Sequence, residues 1–277
     1  MVGDEIKMKK RKATVTNMVL VCFVFIMILP VFVLLLWTVT ERWAWPDLLP
    51  QVFSLRALEG ICQKGGTLTR IFLSSIMISF VVAVLSVTIG TLTARALVLY
   101  EFRGKGLIHF LTVLPFMVPA TVFAMGIQIT FIKMGLNNTV MGVAVSHLIC
   151  SLPYAVRLMM DGTAAVGDRL EEQARVLGAS VVQAFVRVTL PLLVPVLLSA
   201  FSMSYIVSFS QYFLTLLIGG GQVKTFTVVM VPYLQSGERN IACAYSVIFL
   251  GVTLAVFGIF EKIADRWSRN LDTEFYT

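Results

Sequence analysis

Charge is what this 277-residue sequence has least of: Asp, Glu, Lys and Arg make up 13% of it, against roughly 25% in a soluble domain, while 58% is apolar. Water is therefore not its main solvent. The apolar residues gather into long uncharged runs, whereas a soluble fold alternates them with polar ones at periods of about two or 3.6 residues. Cysteine is scarce too, with four residues: Cys22, Cys150 and Cys243 lie within runs and Cys62 stands alone. Neither a disulfide framework nor metal-ligand spacing is visible, and the three within runs read as small apolar packing residues. No G-x-x-x-x-G-K-S/T loop occurs. The nearest imitation, Gly219 to Thr225, lacks the glycine before Lys224, so the phosphate cradle of an ATPase is missing.

What is present is six uncharged stretches: Ala13 to Thr40, Ile71 to Ala94, Gly106 to Ile132, Met134 to Val156, Val188 to Val223 and Asn240 to Phe260. Each meets the length of about 20 residues needed to cross a hydrocarbon core of about 30 Å as a helix. The fold class expected is all-α, a polytopic membrane protein with six transmembrane helices. A secondary transporter or channel is the rival reading. It is disfavoured because ion-coupled carriers usually hold an ionisable relay within the membrane, and these stretches hold none beyond the histidines.

Basic residues resist transfer across the membrane and so report orientation. One side would hold Lys7, Lys9, Lys10, Arg11, Lys12, Arg95, Arg103, Lys105, Arg157, Arg169, Arg175, Arg187, Lys262, Arg266 and Arg269, fifteen in all. The other holds Arg42, Arg56, Lys64, Arg70, Lys133, Lys224 and Arg239, which is seven. Both termini are then expected to be cytoplasmic. The net charge of +7 reads as topology, and nucleic acid is not an expected partner because the basic residues sit at span ends and form no patch.

The expected organisation is a basic cytoplasmic tail (1–12), a first span (13–40), an external loop (41–70), a five-helix core (71–260) carrying a cytoplasmic loop (161–190), and a C-terminal tail (261–277). The first run is longer than the about 7 to 15 residues of a signal-peptide core, so it reads as a retained span. In the external loop Trp43 and Trp45, with Pro46, Asp47 and Pro50, suit the membrane interface. Ile263, Trp267 and Leu271 of the tail are expected on the membrane face.

Between Arg169 and Arg187 acids and bases mix, and a helix-turn-helix is expected. Asp168 is placed to cap a ten-residue helix, Glu171 to reach back three residues, and Gly178 to end it in the left-handed conformation. Ser180 caps a second helix, Val181 to Val188, whose Val181, Val182, Phe185 and Val188 share an apolar face. A structured polar element without a soluble domain beside it exposes a face that another chain can bind.

The run Glu172-Gln173-Ala174-Arg175-Val176-Leu177-Gly178, followed by Ala179-Ser180, Phe185, Val188, Leu190-Pro191 and Pro195, resembles the EAA loop of permeases from binding-protein-dependent ABC importers. The departure is Gln173 for the first alanine, a good helix former at a surface position. Tyr100 to Gly106, Leu114 to Pro119 and Leu152 to Arg157 are similar to further family segments, and the likeness covers about residues 66 to 260. It implies a type I importer fold in a prokaryotic cytoplasmic (inner) membrane. The implied partners are a second permease, the same chain or a different one, two cytoplasmic ATPase subunits and an external solute-binding protein. No cofactor is implied on this chain; ATP and magnesium would sit on the ATPase. Glu171, Glu172, Ala174, Leu177, Gly178, Ala179 and Ser180 would carry the coupling. The implied substrate is a small polar or charged solute of polyamine, phosphonate, iron, thiamine or oxyanion type.

Ser204, Ser208, Gln211 and Thr215 recur at spacings of four, three and four, which in a continuous helix puts them on one face climbing about 16 Å. With Tyr205, Tyr212 and Gln128 they are candidates to line a solute path, or alternatively polar packing between helices. Ser79, Ser86, Gly90 and Thr93 read as packing. His147 and Ser151, four apart, evoke a hydrolytic pair, but no acid within the span orients the imidazole, so catalysis is not expected.

Overall fold

A computed structural model of the chain describes residues 2–43, 47, 49–63 and 65–275, with side chains placed from Thr16 to Trp267 apart from Phe116. Trp45, Pro46 and the Leu271 side chain, named above, lie outside this description. The elements are α1 (Val2–Thr38), β1 (Thr40–Arg42), β2 (Val52–Phe53), α2 (Arg56–Gln63), α3 (Gly65–Leu99), α4 (Lys105–Met117), α5 (Ala120–Met134), α6 (Val140–Val166), α7 (Arg169–Val176), α8 (Val181–Ala184), a π-helical turn (Phe185–Thr189), α9 (Leu190–Phe209), α10 (Phe213–Gly219), α11 (Phe226–Ser236) and α12 (Arg239–Phe275). They fall into two compact units, Met1–Gly65 with Pro232–Leu250 and Gly66–Val231 with Gly251–Thr277.

In the first unit the span-length part of α1 has an unburied, apolar surface, with Val21, Phe25 and Ile26 all more than three-fifths exposed. The loop after α1 adds what the all-α reading did not contain: an antiparallel β1–β2 pair with Thr40 opposite Phe53 and Arg42 opposite Val52. Trp43 stacks on Trp37 at 5.3 Å, and its indole donates to the Asp47 carbonyl at 2.9 Å, which fixes the loop to the end of α1.

The second unit packs α3 and α6 through small residues. Buried positions on α3 recur at helical spacing: Ser75, Ile78, Ser79, Val82, Ala83, Ser86, Gly90, Ala94 and Leu97. Small side chains let helix backbones approach where no water drives them together. A β-carbon on Gly90 would stand 3.0 Å from that of Ala155, so the α3–α6 crossing needs glycine there. Ser86 and Ser151 share a 2.6 Å hydrogen bond at the same contact. Of the four residues expected to pack, Ser79, Ser86 and Gly90 are buried and Thr93 is partly so. One apolar core gathers Ile78, Val82, Ala124, Phe131, Val143, Leu214 and Ile218, and another gathers Ala94, Met159, Leu193 and Ala200.

Among the described residues five helices are long and apolar enough to cross a membrane, or six if the bent pair α4–α5 is one span. That pair corrects the third uncharged stretch, which is two helices: α4 and α5 meet at 108°. The cause is Pro119. The residue before a proline is sterically kept from the helical region, and Val118 is extended, with φ −94° and ψ 132°. The fifth stretch also breaks, at Ser210 to Tyr212 between α9 and α10. The cysteines divide: Cys243 is buried and Cys150 partly buried, but Cys22 is exposed on α1 rather than packed.

Candidate functional site

Helix α7 forms because Leu170, Glu171, Glu172, Gln173, Ala174 and Arg175 are all good helix formers. Its N-terminus is not built as expected. Asp168 makes no side-chain cap, and the helix has eight residues rather than ten. Glu171 turns inward and is 7% exposed. Its Oε1 and Oε2 accept from Nη2 of Arg95 on α3 at 3.1 and 2.9 Å, and Oε2 also accepts from the Thr189 hydroxyl at 2.8 Å. Here the carboxylate gains an ionised partner and a hydroxyl donor, against the single backbone N–H that the capping position offers, which draws it inward. The Arg95 guanidinium lies 4.6 Å over the Phe185 ring.

The C-terminus of α7 follows the expected design. Gly178 has φ +94°, a backbone conformation that side-chain-bearing residues rarely adopt. Its N–H donates to the Arg175 carbonyl at 3.0 Å, and that of Ala179 to the Ala174 carbonyl at 3.0 Å, the two bonds of a Schellman motif. Ser180 caps the next helix, and Gln183 answers with its side chain to the Ser180 N–H at 3.0 Å, completing a capping box. The second helix is not an isolated Val181–Val188 segment. Pro191 lacks an N–H and its ring crowds the carbonyl four residues back, so the chain widens to a π-turn over Phe185–Thr189 and continues into α9.

The resulting loop is a stiff turn with apolar residues at its tip. Val176 is 87% and Leu177 88% exposed, and Val181 and Val182 are exposed beside them. Glu172, Gly178 and Ser180 are exposed, while Ala174 and Ala179 are half-buried.

The residues of the polar stripe do not share one helical face, because α9 ends at Phe209 before Gln211 and Thr215 are reached. The break is held by one local and one more distant bond: the Gln211 carbonyl accepts from the hydroxyls of Thr215 at 2.8 Å and Thr227 at 3.0 Å. Ser208 and Thr215 instead converge on His147 of α6. Thr215 spends its proton on Gln211, so it accepts from His147 Nε2–H at 2.8 Å, and Nδ1 lies 3.0 Å from Ser208 Oγ. Ser208 Oγ also lies 3.3 Å from Ser79 Oγ. The pairing of His147 with Ser151 does not form, since Ser151 bonds Ser86. Gln128 donates to the Leu217 carbonyl at 3.1 Å. Tyr205 stacks on Phe209 at 5.7 Å, and Gln211 and Tyr212 are partly exposed. The hydroxyls of Ser204 and Tyr205 are buried with no hydrogen-bond partner among the described residues.

Arg95, Thr189 and the central role of His147 were not singled out in the sequence. Arg95 carried one usable signal: it is the charge that closes the second uncharged stretch. Among the described residues no group of His, Cys, Asp or Glu could hold a metal ion.

These long apolar helices and the ordered loop between α6 and α9 define an all-α, polytopic membrane fold. The fold is that of a solved bacterial ABC transporter involved in import of the acidic polysaccharide alginate: TM-score 0.71 over 93% of this chain and 96% of that one, at 14% identity. Residues 86–270 match the family described as binding-protein-dependent transport system inner membrane component. The chain belongs to that family. Among its relatives are a molybdate/tungstate transport system permease of Pyrococcus abyssi, 28% identical over 70% of this chain and 77% of the relative, and a spermidine/putrescine transport system permease of Haemophilus influenzae, 26% identical over 73% and 79%. A putative 2-aminoethylphosphonate transport system permease of Salmonella typhimurium is 25% identical over 89% and 92%. The resemblance drawn from the loop and the family membership agree.

Proposed function

We propose that this chain forms half of the solute pathway of an ATP-driven importer and receives its driving force through the loop from Arg169 to Thr189, gripped by a cytoplasmic ATPase. The observation that carries this is the tip of the loop. Val176 and Leu177 stand almost fully exposed on a turn made rigid by Schellman and capping-box bonds, and two apolar side chains held out in water are suited to burial in another protein. Positive-inside charge counts support a cytoplasmic loop and cytoplasmic termini, and the family description supports a prokaryotic inner membrane. Closure of the ATPase around ATP then moves the spans as rigid bodies between inward- and outward-open arrangements.

An external binding protein delivers the solute, in keeping with the family description and with a second solved form of the alginate importer in complex with its periplasmic protein. The named substrates of the relatives support a small polar or charged solute of oxyanion, polyamine or phosphonate type. Ser204, Tyr205, Ser208, Gln211, Tyr212, Thr215 and Gln128 remain the candidates for the path. Gln211 and Tyr212 are the best placed of them, because a broken helix presents backbone and side-chain polar groups within the membrane.

The test is reconstitution of the chain with candidate ATPase, partner-permease and binding-protein subunits, followed by uptake of molybdate, sulfate, spermidine and 2-aminoethylphosphonate. Uptake of one of them that requires ATP and survives collapse of ion gradients supports the reading. Uptake driven by an ion gradient without ATP refutes it.

A further inference from the structure

We propose that Arg95, Glu171 and Thr189 form the transmission joint of this permease, a buried clamp through which movement of the α7 loop is passed to α3 and α9 together. The inference rests on the functional reading above.

A stiff lever moves a membrane span only where its inner end is fastened. The peptide link from α6 to α7 is a poor fastening: Gly167, φ +67°, separates the two helices, and glycine allows such a link to swing. The link to α9 passes through a π-turn. The non-covalent fastening is Glu171. Successive residues of a helix point about 100° apart, and while Glu172 faces solvent, Glu171 faces the bundle, where it is almost fully buried. There it joins α3 through Arg95 and the start of α9 through Thr189, and Phe185 of the π-turn covers the guanidinium. The other terminal nitrogen of Arg95, Nη1, is buried with no hydrogen-bond partner among the described residues, so the carboxylate is the guanidinium's principal anchor. The pair spans 76 positions of sequence. An ion pair at this place fastens the loop to α3 and α9 together.

The test uses the assembled transporter, with Cys22, Cys62, Cys150 and Cys243 replaced, and bimane on one introduced cysteine at a time. A probe on Val176→Cys reports docking when the ATPase subunits are added. A probe on Leu92→Cys, an exposed position of α3, reports movement of that helix when ATP and vanadate are added. In the otherwise native background both respond. Replacing both partners by apolar residues of similar size, Arg95→Met with Glu171→Leu, avoids stranding a buried charge. The clamp predicts that docking persists in this variant while the Leu92 response falls at least fivefold, and that the exchange Arg95→Glu with Glu171→Arg restores at least half of it. Thr189→Val, which keeps the ion pair, should lower it about twofold.

An undiminished Leu92 response in the double variant overturns the joint. So does loss of the Val176 response in that variant, since the pair would then only fold the loop. Should the double variant fail to assemble, Glu171→Gln and Thr189→Val decide: an unchanged Leu92 response in both overturns the joint. Silence of the Val176 probe in the native background instead refutes the ATPase reading itself.

Discussion

The indole of Trp267 donates a hydrogen bond of 3.0 Å to the carbonyl of Pro191. In a regular helix that carbonyl would accept from the residue four positions on, but that residue is Pro195, which has no N–H. Helix α12 thus satisfies an acceptor that proline orphans in α9. Trp267 does more than rest on the membrane face, though it is 42% exposed. Trp267→Phe keeps an aromatic ring, smaller than the indole, and removes the donor; the lost bond should cost about 1 kcal/mol. Thermal unfolding of the detergent-solubilised protein should shift down by about 2 °C, and an unchanged midpoint would show that the bond contributes nothing.

Gly178→Val forces a branched side chain into a left-handed helix end, at a cost of roughly 1 kcal/mol or more. Nothing lies within 4 Å of the added β-carbon, so the effect should be redirection of the turn rather than collapse of the bundle. We expect normal membrane levels, a lower affinity for the ATPase subunits and ATP hydrolysis uncoupled from uptake. Gly178→Asn, which tolerates the conformation better, should fall between the two. Full transport by the valine variant would remove the loop from the mechanism.

His147 holds Ser208 and Thr215 across α6, α9 and α10. Interhelical hydrogen bonds in membrane proteins average about 0.6 kcal/mol, so His147→Phe should destabilise by about 1 kcal/mol from lost bonds, plus any misfit of the larger ring. Measured by unfolding in detergent, this should appear without loss of ATPase docking. If transport were abolished while stability stayed unchanged, His147 would belong to the path and not to the packing.

Gly90→Leu tests the α3–α6 crossing. The glycine meets Ala155 Cβ at 3.0 Å and the backbone of Ala155 and Val156 at 3.1 and 3.2 Å from a built β-carbon, none of it able to rotate away. Overpacking of this kind costs typically about 1–3 kcal/mol. A fall of several degrees in the unfolding midpoint is expected, and the same substitution at Gly251, where nothing lies within 4 Å, should be nearly neutral.

Much of this architecture is legible in the sequence because the bilayer punishes charge so heavily. The six uncharged runs report the spans, and Gly178 and Ser180 announce the loop through local bonds that need nothing from the rest of the chain. What stays hidden depends on distant partners. The break at Ser210 to Tyr212 contains neither proline nor glycine, and it is secured by Thr227, sixteen positions from Gln211. Glu171 has the spacing of a capping residue, and only the approach of Arg95 from α3 draws it away. The bend between α4 and α5 lies between these cases: Pro119 dictates an extended Val118, but the size of the 108° turn has no local signature.

The most direct test of the central claim is photocross-linking from the loop tip. A benzophenone on Leu177→Cys in the assembled transporter should attach to the ATPase subunit in high yield, whereas the same group on Lys133→Cys, at the far end of α5, should not. No ATPase adduct from Leu177, or equal yields from both positions, would contradict the account.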